Sequence, residues 1–188
     1  MNLPNKLTII RMVLTPVFLV VFMAPFIPYH YFLGLAVYAV GCITDFLDGK
    51  IARKYNLITT FGKLADPVAD KMLTTAALLA LMDTGFCSIY IVFIVLTREF
   101  AVTSVRLAAS AQGVVIPANI WGKLKTVAQM VSTILIMLFM ALIEAGIIPE
   151  SFPLGTVSAV LLWITAVLAV ISGIIYIKDG VKVINFNK

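Results

Sequence analysis

The chain has 188 residues, of which 62% are hydrophobic and only 12% charged, and its mean hydropathy is +1.08. An ordinary soluble domain carries roughly 25% charged residues, so this composition excludes a soluble globule and indicates an integral membrane protein. The formal net charge of +5 finds its natural counterpart in anionic lipid headgroups, and no nucleic-acid partner is expected.

Hydrophobic runs fall at 8–28, 31–52, 60–82, 87–108, 121–144 and 154–177. Each is close to the ~20 residues that cross a hydrocarbon core. The runs are continuous rather than alternating with period two, which favours helices over a transmembrane barrel. The fold class is therefore read as an all-α integral membrane protein, a single domain of six transmembrane helices over 1–188. Before the first run, Met1-Asn2-Leu3-Pro4-Asn5-Lys6 has no small-residue cleavage site, so that run is expected to be retained as a span. Its opening reads as a short amphipathic segment lying in the interface.

Along the chain, the second span ends in Asp45 and Asp48, and the third begins with Asp66 and Asp70. Arg98, Glu99 and Arg106 follow in the fourth span, and Lys123 and Lys125 open the fifth. The sixth, with Trp163 and Tyr176, reads as scaffold with interfacial aromatic anchors. Cys42 and Cys87 sit near opposite ends of their spans, which makes a disulfide improbable and leaves them as apolar filler. Gly34 and Gly173 read as packing glycines.

Lys6, Arg11 and the basic residues of 50–71, 98–125 and 178–188 share one side of the six-span arrangement, whereas 24–30, 83–88 and 144–152 contain neither Lys nor Arg. This positive-inside pattern places both termini and the aspartates on the cytoplasmic side. His30, the one histidine, falls at the far side with no catalytic part expected.

Four aspartates within 26 residues are unusual in so apolar a chain. An ionisable group at a bilayer centre costs about 2.5–3.5 kcal/mol even on insertion scales. Asp45 and Asp48 are three apart and Asp66 and Asp70 four apart, so on helices each pair projects from one face. Converging carboxylates need neutralisation, and oxygen donors suit Mg²⁺ or Mn²⁺, two ions being expected. Two other readings of the spacing stay open. The acids could pair with Lys50, Arg53, Lys63 and Lys71 as a salt-bridged helix junction, or they could line an ion pathway in a transporter.

Written out, the segment is Asp45-Phe46-Leu47-Asp48-Gly49-Lys50-Ile51-Ala52-Arg53, eight residues, then Gly62-Lys63-Leu64-Ala65-Asp66-Pro67-Val68-Ala69-Asp70. This resembles in full the signature of the CDP-alcohol phosphotransferase family, D-x-x-D-G-x-x-A-R-x8-G-x-x-x-D-x-x-x-D. The resemblance implies a metal-dependent exchange in which an alcohol displaces CMP from a CDP-linked lipid. It further implies that Asp45, Asp48, Asp66 and Asp70 are metal ligands, with Asp70 also the base on the incoming hydroxyl. Asp48, Gly49, Ala52, Arg53, Gly62 and Asp66 would bind the CDP-lipid, and a homodimer is implied too.

Three further segments, Asn2 to Arg11, Thr97 to Arg106 and Gly122 to Thr126, resemble the bacterial branch that joins CDP-diacylglycerol to sn-glycerol 3-phosphate. That acceptor is an anion and needs extra positive charge. Arg98, Arg106, Lys123 and Lys125 are the candidates, arginine being suited to bidentate phosphate recognition. Arg98 and Arg106 are eight apart and share a helix face, whereas Lys123 and Lys125 cannot both point the same way. Glu99 is read either as a partner for Arg98 or as a brace to a neighbouring helix. The acceptor could instead be phosphatidylglycerol, serine or inositol phosphate, and Arg106, Lys123 and Lys125 could be topology signals alone. A P-loop is absent from the sequence.

Overall fold

The computed structural model describes residues 2–55, 60–114, 116–117 and 119–183, with side chains except at 3, 4, 46, 48–55, 60–64, 66, 67, 70 and 183. Among the described residues there are six helices: α1 (Leu3–Phe22), α2 (His30–Tyr55), α3 (Thr60–Asp83), α4 (Ile89–Ala111), α5 (Ile120–Glu144) and α6 (Leu154–Val183). No strand occurs among the described residues.

Helix α1 is continuous from Leu3, so the opening expected in the interface belongs to the same helix as the first span. Pro4 stands in its first turn, where a missing N–H breaks no helical bond. One expectation needs correction: the first run does not stay helical to residue 28. Pro25 and Pro28 cannot continue the ladder, and Tyr29 turns the chain with φ of 57°.

The other helix starts are set by capping groups. Ser88 accepts from the Tyr90 N–H at 3.3 Å, and Asn119 accepts from the Gly122 N–H at 2.7 Å. The cap of α2 comes from another helix: Glu144, at the end of α5, accepts from the backbone N–H of His30 at 3.1 Å and of Tyr31 at 3.2 Å. His30 Nδ1 lies 2.7 Å from the Phe22 carbonyl. His30 thus serves the end of the bundle remote from the aspartates, as its position in the sequence suggests.

Among the described residues, α1 packs on α2 and α3, and α6 packs on α4 and α5. Contacts of α5 with α2, and of α4 with α3, join the two groups. The core fills the junction. Leu73, Ala77, Ala80 and Leu81 recur on α3 at helical spacing and meet Phe18, Tyr38, Val95, Ile136 and Met137, all essentially buried. Small residues set the close approaches, and a methyl added at Gly34 would lie 2.6 Å from Phe22 Cδ2 and 3.2 Å from its Cα.

Beside the apolar core, several polar groups are buried while large apolar side chains face outward. Thr8, Arg11 and Thr15 of α1, Lys125, Gln129 and Ser132 of α5, and Thr165 and Ser172 of α6 are buried. Val13 and Val20, Phe93 and Phe100, and Val160, Trp163 and Val167 are exposed. Such an exterior is compatible with hydrocarbon rather than water. By length and composition α1, α5 and α6 can cross a membrane, over Asn5–Phe22, Ile120–Glu144 and Leu154–Lys182. Helices α2, α3 and α4 have 26, 24 and 23 residues and carry the ionisable motifs in their sequences. Cys42 and Cys87 are both free thiols.

Gly34→Ala should destabilise the protein by about 1–3 kcal/mol through overpacking against Phe22. Gly155→Ala, where an added methyl meets nothing within 4 Å, should be neutral or stabilising. Thermal melting of the two variants in detergent checks the contrast.

Candidate active site

The backbone sets Asp45 and Asp48 one turn apart in α2, and Asp66 and Asp70 one turn apart in α3, two helices that touch each other. The side chains of Asp48, Gly49, Ala52, Arg53, Gly62, Asp66 and Asp70 lie outside the described residues. Asp45 is described. Its Oδ1 accepts from Arg11 Nη1 at 2.7 Å, with Arg11 essentially buried and the aspartate side chain 41% exposed. Arg11, one of the basic residues of the positive-inside pattern, is thus the observed partner of Asp45, and it is not among the four cations named for a salt-bridged junction. The α2–α3 donor set is all carboxylate, with His30 at the other end of the bundle, so its chemistry fits a hard cation.

Beside these helices, α3, α4, α5 and α6 enclose a cleft of about 860 Å³. Among the described residues, Lys71, Arg98, Arg106, Lys123 and Lys125 line it with a single carboxylate, Glu99. Lys71 follows Asp70 in sequence, so the α3 backbone that carries the second aspartate pair also supplies a residue of this cleft. Asn119 and Gly122 also line it, so the first turn of α5 presents its N-terminal end, the positive end of the helix dipole, to the same space.

Glu99 organises the cations. Its Oε1 lies 2.7 Å from Lys125 Nζ and 2.8 Å from Arg98 Nη1. Its backbone carbonyl accepts from Thr103 Oγ1 at 2.8 Å and from Lys71 Nζ at 3.5 Å, while Lys71 Nζ also donates to Thr103 Oγ1. Both sequence readings of Glu99 therefore hold: it pairs with its neighbour Arg98 and braces α5 through Lys125. Adjacent helix residues do not normally face one another, but a long guanidinium can bend back to a carboxylate that is already held.

Arg98 is fixed from three sides. Its Nε donates to Ser172 Oγ at 3.0 Å, and a methyl on Gly173 would meet its Cγ at 3.2 Å. A methyl on Gly122 would lie 3.3 Å from its Nη2. Gly173 is thus a packing glycine, as its sequence context suggests, and what it packs is a cleft arginine. Arg106 shares the Arg98 face of α4 and donates through Nη2 to the Tyr176 hydroxyl at 2.6 Å. Lys123 and Lys125 differ as their spacing requires, Lys123 being exposed and Lys125 buried on Glu99. Arg106 and Lys123 have no carboxylate partner among the described residues, so their charge is available to an anion.

Sequence reasoning missed Tyr176, Ser172, Thr103 and Asn119. The Asn-x-x-Gly cap before α5 was a readable signal. The role of α6 was not, because Ser172, Gly173 and Tyr176 acquire it only through the packing of α6 on α4.

A helical bundle with an apolar exterior, acid pairs on adjoining helices and a polycationic cleft belongs to the class of membrane proteins that carry a charged site among their helices. The sequence profile described as CDP-alcohol phosphatidyltransferase matches residues 1–171, and the chain belongs to that family. It is 37% identical over 183 residues to a CDP-diacylglycerol–glycerol-3-phosphate 3-phosphatidyltransferase of Bacillus subtilis, covering 92% of this chain and 91% of the relative. A probable phosphatidylglycerophosphate synthase of Mycobacterium tuberculosis is 38% identical, over 96% of this chain and 82% of its own length. A Rickettsia bellii protein that shares the Bacillus subtilis description is 37% identical, over 94% of each chain.

Glu99→Gln should leave Lys125 and Arg98 without their carboxylate and destabilise the fold by about 3 kcal/mol, since breaking a buried pair strands a charge. A melting temperature equal to wild type would show that these cations are solvated without Glu99.

Proposed function

We propose that the chain is a phosphatidylglycerophosphate synthase, moving the phosphatidyl group from CDP-diacylglycerol to sn-glycerol 3-phosphate and releasing CMP. The observation that carries this reading is a cleft beside the aspartate helices in which, among the described residues, Arg106 and Lys123 offer charge uncompensated by carboxylates, suited to an acceptor that is itself a phosphate monoester. The names of the relatives support the same acceptor.

In this reading the acceptor hydroxyl attacks the phosphorus that bears the diacylglycerol. A new P–O bond forms, the bond to the CMP oxygen breaks, and the hydroxyl proton passes to Asp70. Asp45, Asp48, Asp66 and Asp70 would hold Mg²⁺ or Mn²⁺, two ions, whose chemistry when bound is charge neutralisation at the diphosphate. Asp48, Gly49, Ala52, Arg53, Gly62 and Asp66 bind the CDP-lipid. Arg11 holds Asp45 in place from α1.

Arg98, Arg106, Lys123 and Lys125 bind the acceptor phosphate, Arg106 and Lys123 by direct contact. Arg98 and Lys125, held by Glu99, add field and position. Phosphoryl transfer asks little covalent work of a protein beyond in-line positioning and charge stabilisation. A single six-span catalytic domain, multi-pass in a bacterial cytoplasmic membrane with termini and cleft cytoplasmic, puts this site where a soluble acceptor meets a lipid donor. The working unit is a homodimer.

Purified protein in detergent with CDP-diacylglycerol and Mg²⁺ or Mn²⁺ should release CMP with glycerol 3-phosphate, and not with phosphatidylglycerol, serine or inositol phosphate. Turnover with one of the latter alone would move the chain to another branch of the family. Arg106→Ala should raise KM for glycerol 3-phosphate by about 10–100-fold with little change in kcat, as loss of a hydrogen bond to a charged group implies. An unchanged KM would return Arg106 to a topological role.

A further inference from the structure

Tyr176 lies on α6, which carries no motif residue, yet it touches more of the cleft's machinery than any aromatic anchor needs to. It is 2% exposed and lines the cleft. The Arg106 guanidinium carbon lies 5.1 Å from its ring centroid and that of Arg98 lies 5.8 Å away, so one ring serves two cations. Its hydroxyl accepts from Arg106 Nη2 at 2.6 Å and donates to the Pro117 carbonyl at 3.4 Å, in the connection between α4 and α5. A methyl added at Gly122 would lie 3.2 Å from Tyr176 Cε2, so the ring also rests on the first turn of α5.

Two guanidinium groups in one apolar-walled cleft repel each other, and each would relax outward without a restraint. Glu99 restrains Arg98. Among the described residues Arg106 has no carboxylate, and its polar contact is the Tyr176 hydroxyl. The π-face attracts both cations, and the hydroxyl, using its donor on Pro117 and its acceptor on Arg106, fixes the direction of the Arg106 fork. Ser172 and Gly173, four and three residues before Tyr176, fall on the same face of α6 and seat Arg98.

We infer that Tyr176 is a positioning residue for the acceptor phosphate: it holds Arg106 and Arg98 at a fixed spacing, so that a phosphate monoester meets a preformed clamp. This rests on the proposed function only for the identity of the acceptor. The residue acts through the arginines and not on the reacting atoms, so its removal should weaken acceptor binding while leaving the chemical step and the lipid donor site nearly intact.

Tyr176→Phe keeps the ring and the packing on Gly122 and removes only the hydroxyl. It should raise KM for glycerol 3-phosphate about 10-fold, with kcat and KM for CDP-diacylglycerol within about twofold of wild type. Tyr176→Leu, which removes the platform as well, should raise the acceptor KM further. Calorimetric titration of wild type and Tyr176→Phe with glycerol 3-phosphate and with inorganic phosphate should show the same loss without turnover. An unchanged acceptor KM and phosphate affinity in Tyr176→Phe, or equal rises in the KM of both substrates, overturns the inference. If wild type binds phosphate but releases no CMP with glycerol 3-phosphate, the proposed function fails, and weaker phosphate binding by Tyr176→Phe still upholds the clamp.

Discussion

The cation cleft depends on one carboxylate. Glu99 sits where α4 faces α5, and it is the carboxylate that Lys125 and Arg98 share, so one acid compensates the burial of two cations. By accepting from both it ties the two helices together, and its carbonyl, through Thr103 and Lys71, brings α3 into the same network. A concentration of positive charge that would otherwise expand is thereby held as a cavity. Arg106 and Lys123, which Glu99 does not neutralise, face that cavity as its spare charge.

The bundle divides its labour by end. At one end Glu144 caps α2 and His30 meets the Phe22 carbonyl, which locks the turns with contacts that involve no site residue. The middle is a packed apolar core of Phe, Leu, Ala and Met. At the other end are Arg11 on Asp45, the aspartate helices and the cation cleft. Rigid packing in the middle lets polar groups at that end be placed without each supplying its own stability, because a close-packed interior transmits position from one end of a helix to the other.

Family membership joins the two halves of the site. The signature residues lie on α2 and α3, whereas the cleft is formed by α3 to α6, with Lys71 and Asp70 adjacent at the seam. In the proposed function, donor chemistry sits on the first half of the chain and acceptor recognition on the second. Such a division lets a family keep one way of binding a CDP-linked substrate while its acceptors vary, since changes in α4 to α6 need not disturb the carboxylates.

The sequence alone determined that the chain is helical and apolar outside, where most helices begin and end, that the acids fall in two one-turn pairs, and that Arg98 and Arg106 share a face. These are local consequences of hydrophobic runs and helical periodicity, which need no knowledge of neighbours. It also carried the signature that identifies the family. It carried the first run on to residue 28, whereas the helix ends at Phe22 ahead of Pro25 and Pro28. Tertiary structure alone decided that Arg11 belongs to Asp45, that Glu99 serves two cations at once, and that Tyr176 is part of the cleft and not a membrane anchor. Each of those facts joins residues from different helices, and helix crossing, not sequence spacing, sets which side chains meet.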